Sequence, residues 1–388
     1  MKQAIRIILL TFAALGCGDI YTDVIDRQIL PVAPSFLPSA TARRVYGQLD
    51  SFTTNYINNN NVLPGTNSLF LPCDAAVSSD GVYIVDRSNN RVLFYAGTST
   101  TASRVYGQSG SFTSLLANNG GISANTLNSP AGVAVDPGGV YIADADNNRV
   151  LYYAGTSTTA SRVYGQDGGF TTNDENNGGL GPASLSGPVG VAIDAGGVYI
   201  ADAGNNRVLY YAGTQTTASR VYGQLGVFTT SDENNGGVSA DSLSHPNSIA
   251  VAAGGVYISD YGNHRVLYYS GAGTTASRVY GQFGSFIANT PNNGGISANS
   301  LNRPNGLALA AYGLYISDFA NNRVLYYAGT QTTASRVFGQ SGRFNTNYLN
   351  NGTPLYPSAT SLSGPMGLSV NSSGLFIVDA GNNRVLWY

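Results

Sequence analysis

Six aspartates stand five residues ahead of six arginines: Asp86 and Arg91, Asp144 and Arg149, Asp202 and Arg207, Asp260 and Arg265, Asp318 and Arg323, and Asp379 and Arg384. A carboxylate ring of this kind could hold a metal or polarise a substrate. The same spacing also suits an ion pair across a short hairpin, with hydrogen bonds to the turn. A catalytic set singles out one copy, whereas here every copy is kept, so these residues read as structural hairpin pairs. Two loops carry adjacent acids, in Asp174-Glu175-Asn176-Asn177 and Asp232-Glu233-Asn234-Asn235. Hard oxygen ligands of this type suit calcium, which makes these loops the candidate ligand or cation sites. No other metal site and no cofactor is expected.

Other chemistry finds little support. The chain has two histidines, His245 and His264, at non-equivalent places where several sister units carry Gly, Asn or Ser. Its glutamates are Glu175 and Glu233 alone, and no Ser/His/Asp set contains a distinctive nucleophile. The expected catalytic set is therefore none. Charged residues make up 10% of the 388 positions, and the net charge is -2. Lys2 is the only lysine, so no basic face is available to displace counterions from phosphates, and nucleic acid is not an expected partner.

The elements that position these residues repeat. The pentapeptide RVYGQ starts at Arg44, Arg104, Arg162, Arg220 and Arg278, and returns as RVFGQ at Arg336. Each unit holds four short Val/Ile/Tyr-rich segments bounded by Gly, Asn or Ser, RVYGQ being the fourth, which predict four strands. In one unit they are GPVGVAID, VYIAD, RVLYYAG and RVYGQ. Gly-Gly pairs at 138–139, 196–197 and 254–255 suit the first hairpin, and AGNN between Asp202 and Arg207 suits the second. Antiparallel four-stranded units of this length predict a β-propeller. Phe52, Phe112, Phe170, Phe228, Phe286 and Phe344 follow RVYGQ at one spacing. Leu69, Leu127, Leu185, Leu243, Leu301 and Leu362 precede the next proline at another. Both sets read as anchors of the long polar loops between blades.

Complete sets of the first three strands start at Pro72, Pro130, Pro188, Pro246, Pro304 and Pro365, and the last set has no fourth strand after it. Arg44–Gln48 therefore supplies the outer strand of the last blade, which closes the ring and removes two sheet edges. The block LSGPVGVAIDAGGVYIADAGNNRVLYY resembles NHL repeats, with the Asn-x-Arg segment present in six copies from Asn89-Asn90-Arg91 to Asn382-Asn383-Arg384. The resemblance implies an all-β, six-bladed propeller of NHL type with four antiparallel strands per blade. It leaves activity open, since the family includes enzymes, RNA binders and extracellular binding modules. Peptide-amidating lyases of similar fold use several metal-binding histidines, and lactonases on related propellers use a central Glu/Asp/Asn cluster; neither set is assembled here.

The start, MKQAIRIILLTFAALGCGD, has the form of a secretory signal. Ala14-Leu15-Gly16-Cys17 resembles a bacterial lipobox, with Ala14 where Leu is usual, which implies lipid attachment at Cys17. Cys73 is then a lone thiol, expected to be buried and inert. The expected organisation is a signal segment at 1–17, a tether at 18–42 and a propeller at 43–388. The expected function is a non-catalytic binding or scaffolding module at the bacterial cell envelope, exported across the inner membrane and held by its lipid. It would engage protein or glycan through the long loops, and touch membrane only through the anchor. Alternatives are a metal-dependent hydrolase or lyase, and a self-associating structural surface protein.

Overall fold

The computed structural model describes residues 38–388; the signal segment, Cys17 and most of the expected tether lie outside them. Within blade 1 the strands run Pro72–Val77, Gly81–Asp86, Arg91–Ala96 and Arg104–Gly107, from axis to rim. Blades 2 to 6 repeat this order from Pro130, Pro188, Pro246, Pro304 and Pro365. The last sheet is completed by Arg44–Tyr46 against Arg384–Trp387, with Val45 opposite Leu386 and Tyr46 opposite Val385. Ala42, at the end of the expected tether, is buried, and its N–H donates to Ala359 O.

The sheets are two-sided because each blade is covered by both neighbours. Tyr141, Val150 and Tyr164 of blade 2 pack with Val191, Ile200 and Tyr211 of blade 3. At the seam, Tyr46, Phe376 and Val385 pack in the same way with Ala75, Ile84 and Leu93. The edge-on contact of Tyr46 with Tyr95 has ring centroids 5.2 Å apart, against 5.1 Å for Tyr164 and Tyr211. Such paired rings add to the area they bury, so the seam is packed like an interior interface.

Each first hairpin turns on a glycine such as Gly139, at φ 158 and so close to the opposite strand that a Cβ would sit 2.0 Å from Tyr153 O. The second turn is a single 3-10 turn capped by a left-handed residue: Asn90, Asn148, Asn206, His264, Asn322 and Asn383. At the axis the first strands bulge after their opening proline, and glycine lets adjacent blades touch backbone to backbone. A Cβ on Gly190 would lie 2.2 Å from Asn247 O. The long loops and the second turns share one end of the ring, the loop face; the first hairpins share the other, the hairpin face.

Candidate functional site

Every Asp–Arg pair is formed, with Nε to Oδ2 at 2.7 Å and both side chains wholly buried. Each pair does more than brace its own hairpin. In blade 3, Asp202 Oδ2 also accepts from Asn205 Nδ2, while Oδ1 accepts from the Ser186 backbone. Arg207 Nη2 donates to the carbonyls of Gly181 and Ser184 in the loop entering the blade, and Nη1 to Phe228 O in the loop leaving it. Burial pushes the Asp202 carboxyl upward, against the opposing pull of Arg207 and the N–H donors. The neighbouring Asn205 exchanges amide hydrogen bonds with Asn176, and Asn206 takes the Gly-less loop end through His245 N. One turn therefore staples two consecutive loops, and its carboxylate has no vacant side for a substrate.

The remaining RVYGQ residues work on the same turn. Gln224 Nε2 donates to Asn206 O and to Asp232 O, fixing where the loop departs. Sequence reasoning did not assign the glutamine, because its partners are backbone carbonyls that leave no mark in side-chain identity. The anchors behave as expected: Leu185 and its five counterparts are fully buried, and the phenylalanines pack partly buried against the blades. His264 replaces the usual Asn, its Nδ1 accepting from Arg303 N at 3.0 Å where Asn206 Oδ1 accepts from His245 N. Burial and the charge of Arg303 lower its pKa. Cys73 is buried against the carbonyls of Pro130 and Ala131, and burial pushes its thiol up to about 12, which leaves it unreactive.

The acidic loop residues are drawn into loop architecture. Glu175 accepts from Ser186 Oγ and Glu233 from Ser244 Oγ. Asn176 and Asn234 pair with Asn205 and Asn263, and Asn177 and Asn235 donate to Gln166 and Gln224 Oε1. Asp174 and Asp232 give their carbonyls to those glutamines and keep their side chains exposed. Among the described residues, no three His, Cys, Asp or Glu side chains meet as a metal set.

Two features break the repeat. At the axis, the glycine position of the other first strands holds Asp74 in blade 1 and Ser248 in the opposite blade 4. Asp74 accepts from the N–H groups of Ala75 and Val133, and burial pushes its carboxyl up to about 7 against those donors. On the loop face, the loops either side of blade 6 are apolar. Tyr56, Ile57, Val62 and Leu63 in one, and Tyr348, Leu349, Leu355 and Tyr356 in the other, are all exposed, Val62 to 90% and Leu355 to 75%. Arg384 holds both loops, donating to Phe52 O on one side and to Ser358 and Ser361 carbonyls on the other. Of the exposed large hydrophobic side chains described, all but Tyr312 lie on the long loops. Composition alone pointed to the acidic loops instead; the available signal was spacing, since Arg44 to Arg104 spans 60 residues and Pro304 to Pro365 spans 61, where inner units repeat every 58.

No curated protein sequence matches the chain. Among solved structures, a Bacteroides thetaiotaomicron structural-genomics protein of unknown function is similar over 88% of this chain and 75% of its own, at 16% identity and TM-score 0.55. A streptogramin B lyase is similar over 84% and 95%, at 12% identity and TM-score 0.48. The nidogen/laminin complex contains a chain similar over 69% and 79%, at 18% identity and TM-score 0.45. Only the first score passes 0.5, and at these identities what is shared is the fold. The NHL repeat model matches residues 127–153, 185–211 and 243–269, in blades 2, 3 and 4. The same residues stand in register in the other three blades, and the chain is a six-bladed β-propeller with NHL repeats in blades 2, 3 and 4.

Proposed function

We propose that this protein is a non-catalytic binding module that engages a partner protein through the paired loops flanking blade 6. The observation that carries this reading is the concentration of exposed Tyr, Val, Leu and Ile on two loops held by one buried turn. Apolar clusters of this kind on a soluble surface mark interaction sites, and a rigid scaffold beneath limits the entropy lost on binding. The repeated polar residues, by contrast, are consumed internally, which leaves them no part in chemistry. The signal-like start and Cys17 support placement at the bacterial cell envelope through a lipid anchor. Tyr and Leu favour a protein over a glycan at these loops. The test is a binding isotherm of purified protein on isolated envelope fractions, comparing wild type with the Val62→Asp/Tyr356→Asp double variant. Saturable binding that weakens at least tenfold in the variant, with unchanged thermal melting, supports the reading. Equal binding by both proteins, or no saturable binding, overturns it.

A further inference from the structure

The other face carries a groove of different character. We propose that the groove between blades 6 and 1, opening on the hairpin face, binds an acidic saccharide of the uronate type. Its volume is about 390 Å³, within the range of small-molecule pockets. Arg44 and Trp387 form its floor, with Asn371, Ser79 and Thr98 at its walls.

The Arg44 guanidinium lies 4.6 Å from the centre of the Trp387 ring, and its only hydrogen bond among the described residues is from Nη1 to the Tyr46 hydroxyl, at 3.5 Å. Among the described residues it makes no ion pair, whereas Arg384, three residues before Trp387, spends Nε and both Nη groups on protein acceptors. Stacking fixes the plane of the fork and leaves an N–H edge to pair with an anion.

Comparison with sister blades sharpens the point. The equivalent groove between blades 1 and 2 also holds a stacked arginine, Arg104, but it is lined by Asp80 and Asp136. At this position blades 2 and 3 carry Asp136 and Asp194, blades 1, 4 and 5 the neutral Ser78, Ala252 and Ala310, and blade 6 the neutral but polar Asn371, so no carboxylate is among the residues lining its groove. Where blades 2 and 4 have Tyr152 and Tyr268, whose hydroxyls donate to the carbonyls of Gly138 and Gly254, blade 6 has Trp387. The exchange gives up that turn hydrogen bond and buries an indole N–H without an acceptor. What it gains is the ring that holds a cation most strongly. Blade 6 therefore departs from the repeat, at a cost to the turn, in the ring that holds its guanidinium, and no residue lining the groove carries a carboxylate to neutralise it. A carboxylate matches that fork in two parallel hydrogen bonds, and the serine, threonine and asparagine walls suit the hydroxyls of a sugar ring.

Trp387 is the only tryptophan in the chain, so its emission reports on this groove alone. Purified protein is titrated with tri-galacturonate, with neutral tri-galactose and with sodium sulfate. The expected result is a saturable change for tri-galacturonate only, with the dissociation constant raised at least tenfold by Arg44→Gln and unchanged by Arg104→Gln. Because Arg44 sits on the closing strand, Ser79→Asp provides a second variant that leaves that strand intact and brings a carboxylate to the groove. It too is expected to weaken binding at least tenfold. No saturable change, equal affinity in Ser79→Asp, or equal response to the neutral sugar overturns the proposal. Sulfate binding as tightly as the trisaccharide overturns it as well, by reducing the groove to a bare anion site.

Discussion

Replacing Arg207 by methionine would remove the centre of one staple while keeping most of its volume. Asp202 would be left as a buried carboxylate without its counter-ion, retaining only the N–H donors of Ser186 and Asn205. Removing one partner of a buried pair costs about 3–5 kcal/mol. The carbonyls of Gly181, Ser184 and Phe228 would also lose their donor. If the loops relax enough for water to reach two of them, the third adds about 1–3 kcal/mol. The total, about 5 kcal/mol, rivals the whole stability of a typical domain, about 5–15 kcal/mol. With a urea slope of about 3 kcal/mol/M, the unfolding midpoint should fall by about 1.5 M or more. Arg384→Met should cost at least as much, because its Nη1 acceptor, Phe52 O, belongs to the other end of the chain and its loss loosens the seam. The Asp202→Leu/Arg207→Met double variant should be less damaged than Arg207→Met alone, since no charge is then stranded. Urea unfolding followed by tyrosine and tryptophan emission measures all three. A midpoint shift below about 0.3 M for Arg207→Met, or a double variant worse than the single, would refute the staple. A much milder Arg384→Met would refute the equivalence of the seam.

Three further outcomes follow from the packing and the sequence. Gly190→Ala should destabilise by about 1–3 kcal/mol, since its Cβ would meet Asn247 O at 2.2 Å; calorimetry showing wild-type melting would contradict backbone contact at the axis. The His264 pKa is lowered from 6.5 on folding, so the unfolded chain binds the proton more readily and stability should be lost as pH falls through and below 6.5. His264→Asn, which restores the sister acceptor, should remove that part of the acid sensitivity, and an unchanged pH profile would show that His264 is not its source. Cys17→Ala should abolish incorporation of labelled fatty acid in cells, and persistent labelling would rule out the anchor.

How much was legible in the sequence follows from what repeats and what does not. Strands, turns and blade number were readable because Val, Tyr, Gly and Asn recur in register, and the stray RVYGQ at Arg44 demanded a partner at the far end. The Asp–Arg pairs were readable as pairs from their five-residue spacing. Their wider role was not, because Arg207 reaches carbonyls 21 to 26 residues away and any residue type supplies a carbonyl. Glu175 and Glu233 attracted attention as charges, yet each accepts from a serine eleven residues on, a match invisible without the loop's shape. The apolar loops beside blade 6 were hidden in a polar average, although their extra residues were countable. Trp387 and Asn371 stand out only once their sister positions are superposed in space.

The central claim is that the long loops flanking blade 6 form the binding surface while the repeated polar residues hold the ring together. Hydroxyl-radical footprinting of the protein bound to its envelope fraction, against free protein, tests it most directly. Protection is expected at Tyr56, Leu63, Tyr348, Leu355 and Tyr356, all exposed in the free protein. Tyr312, exposed on the hairpin face, should stay reactive. Protection of Tyr312 with full reactivity at Tyr56 and Tyr356 would contradict the account.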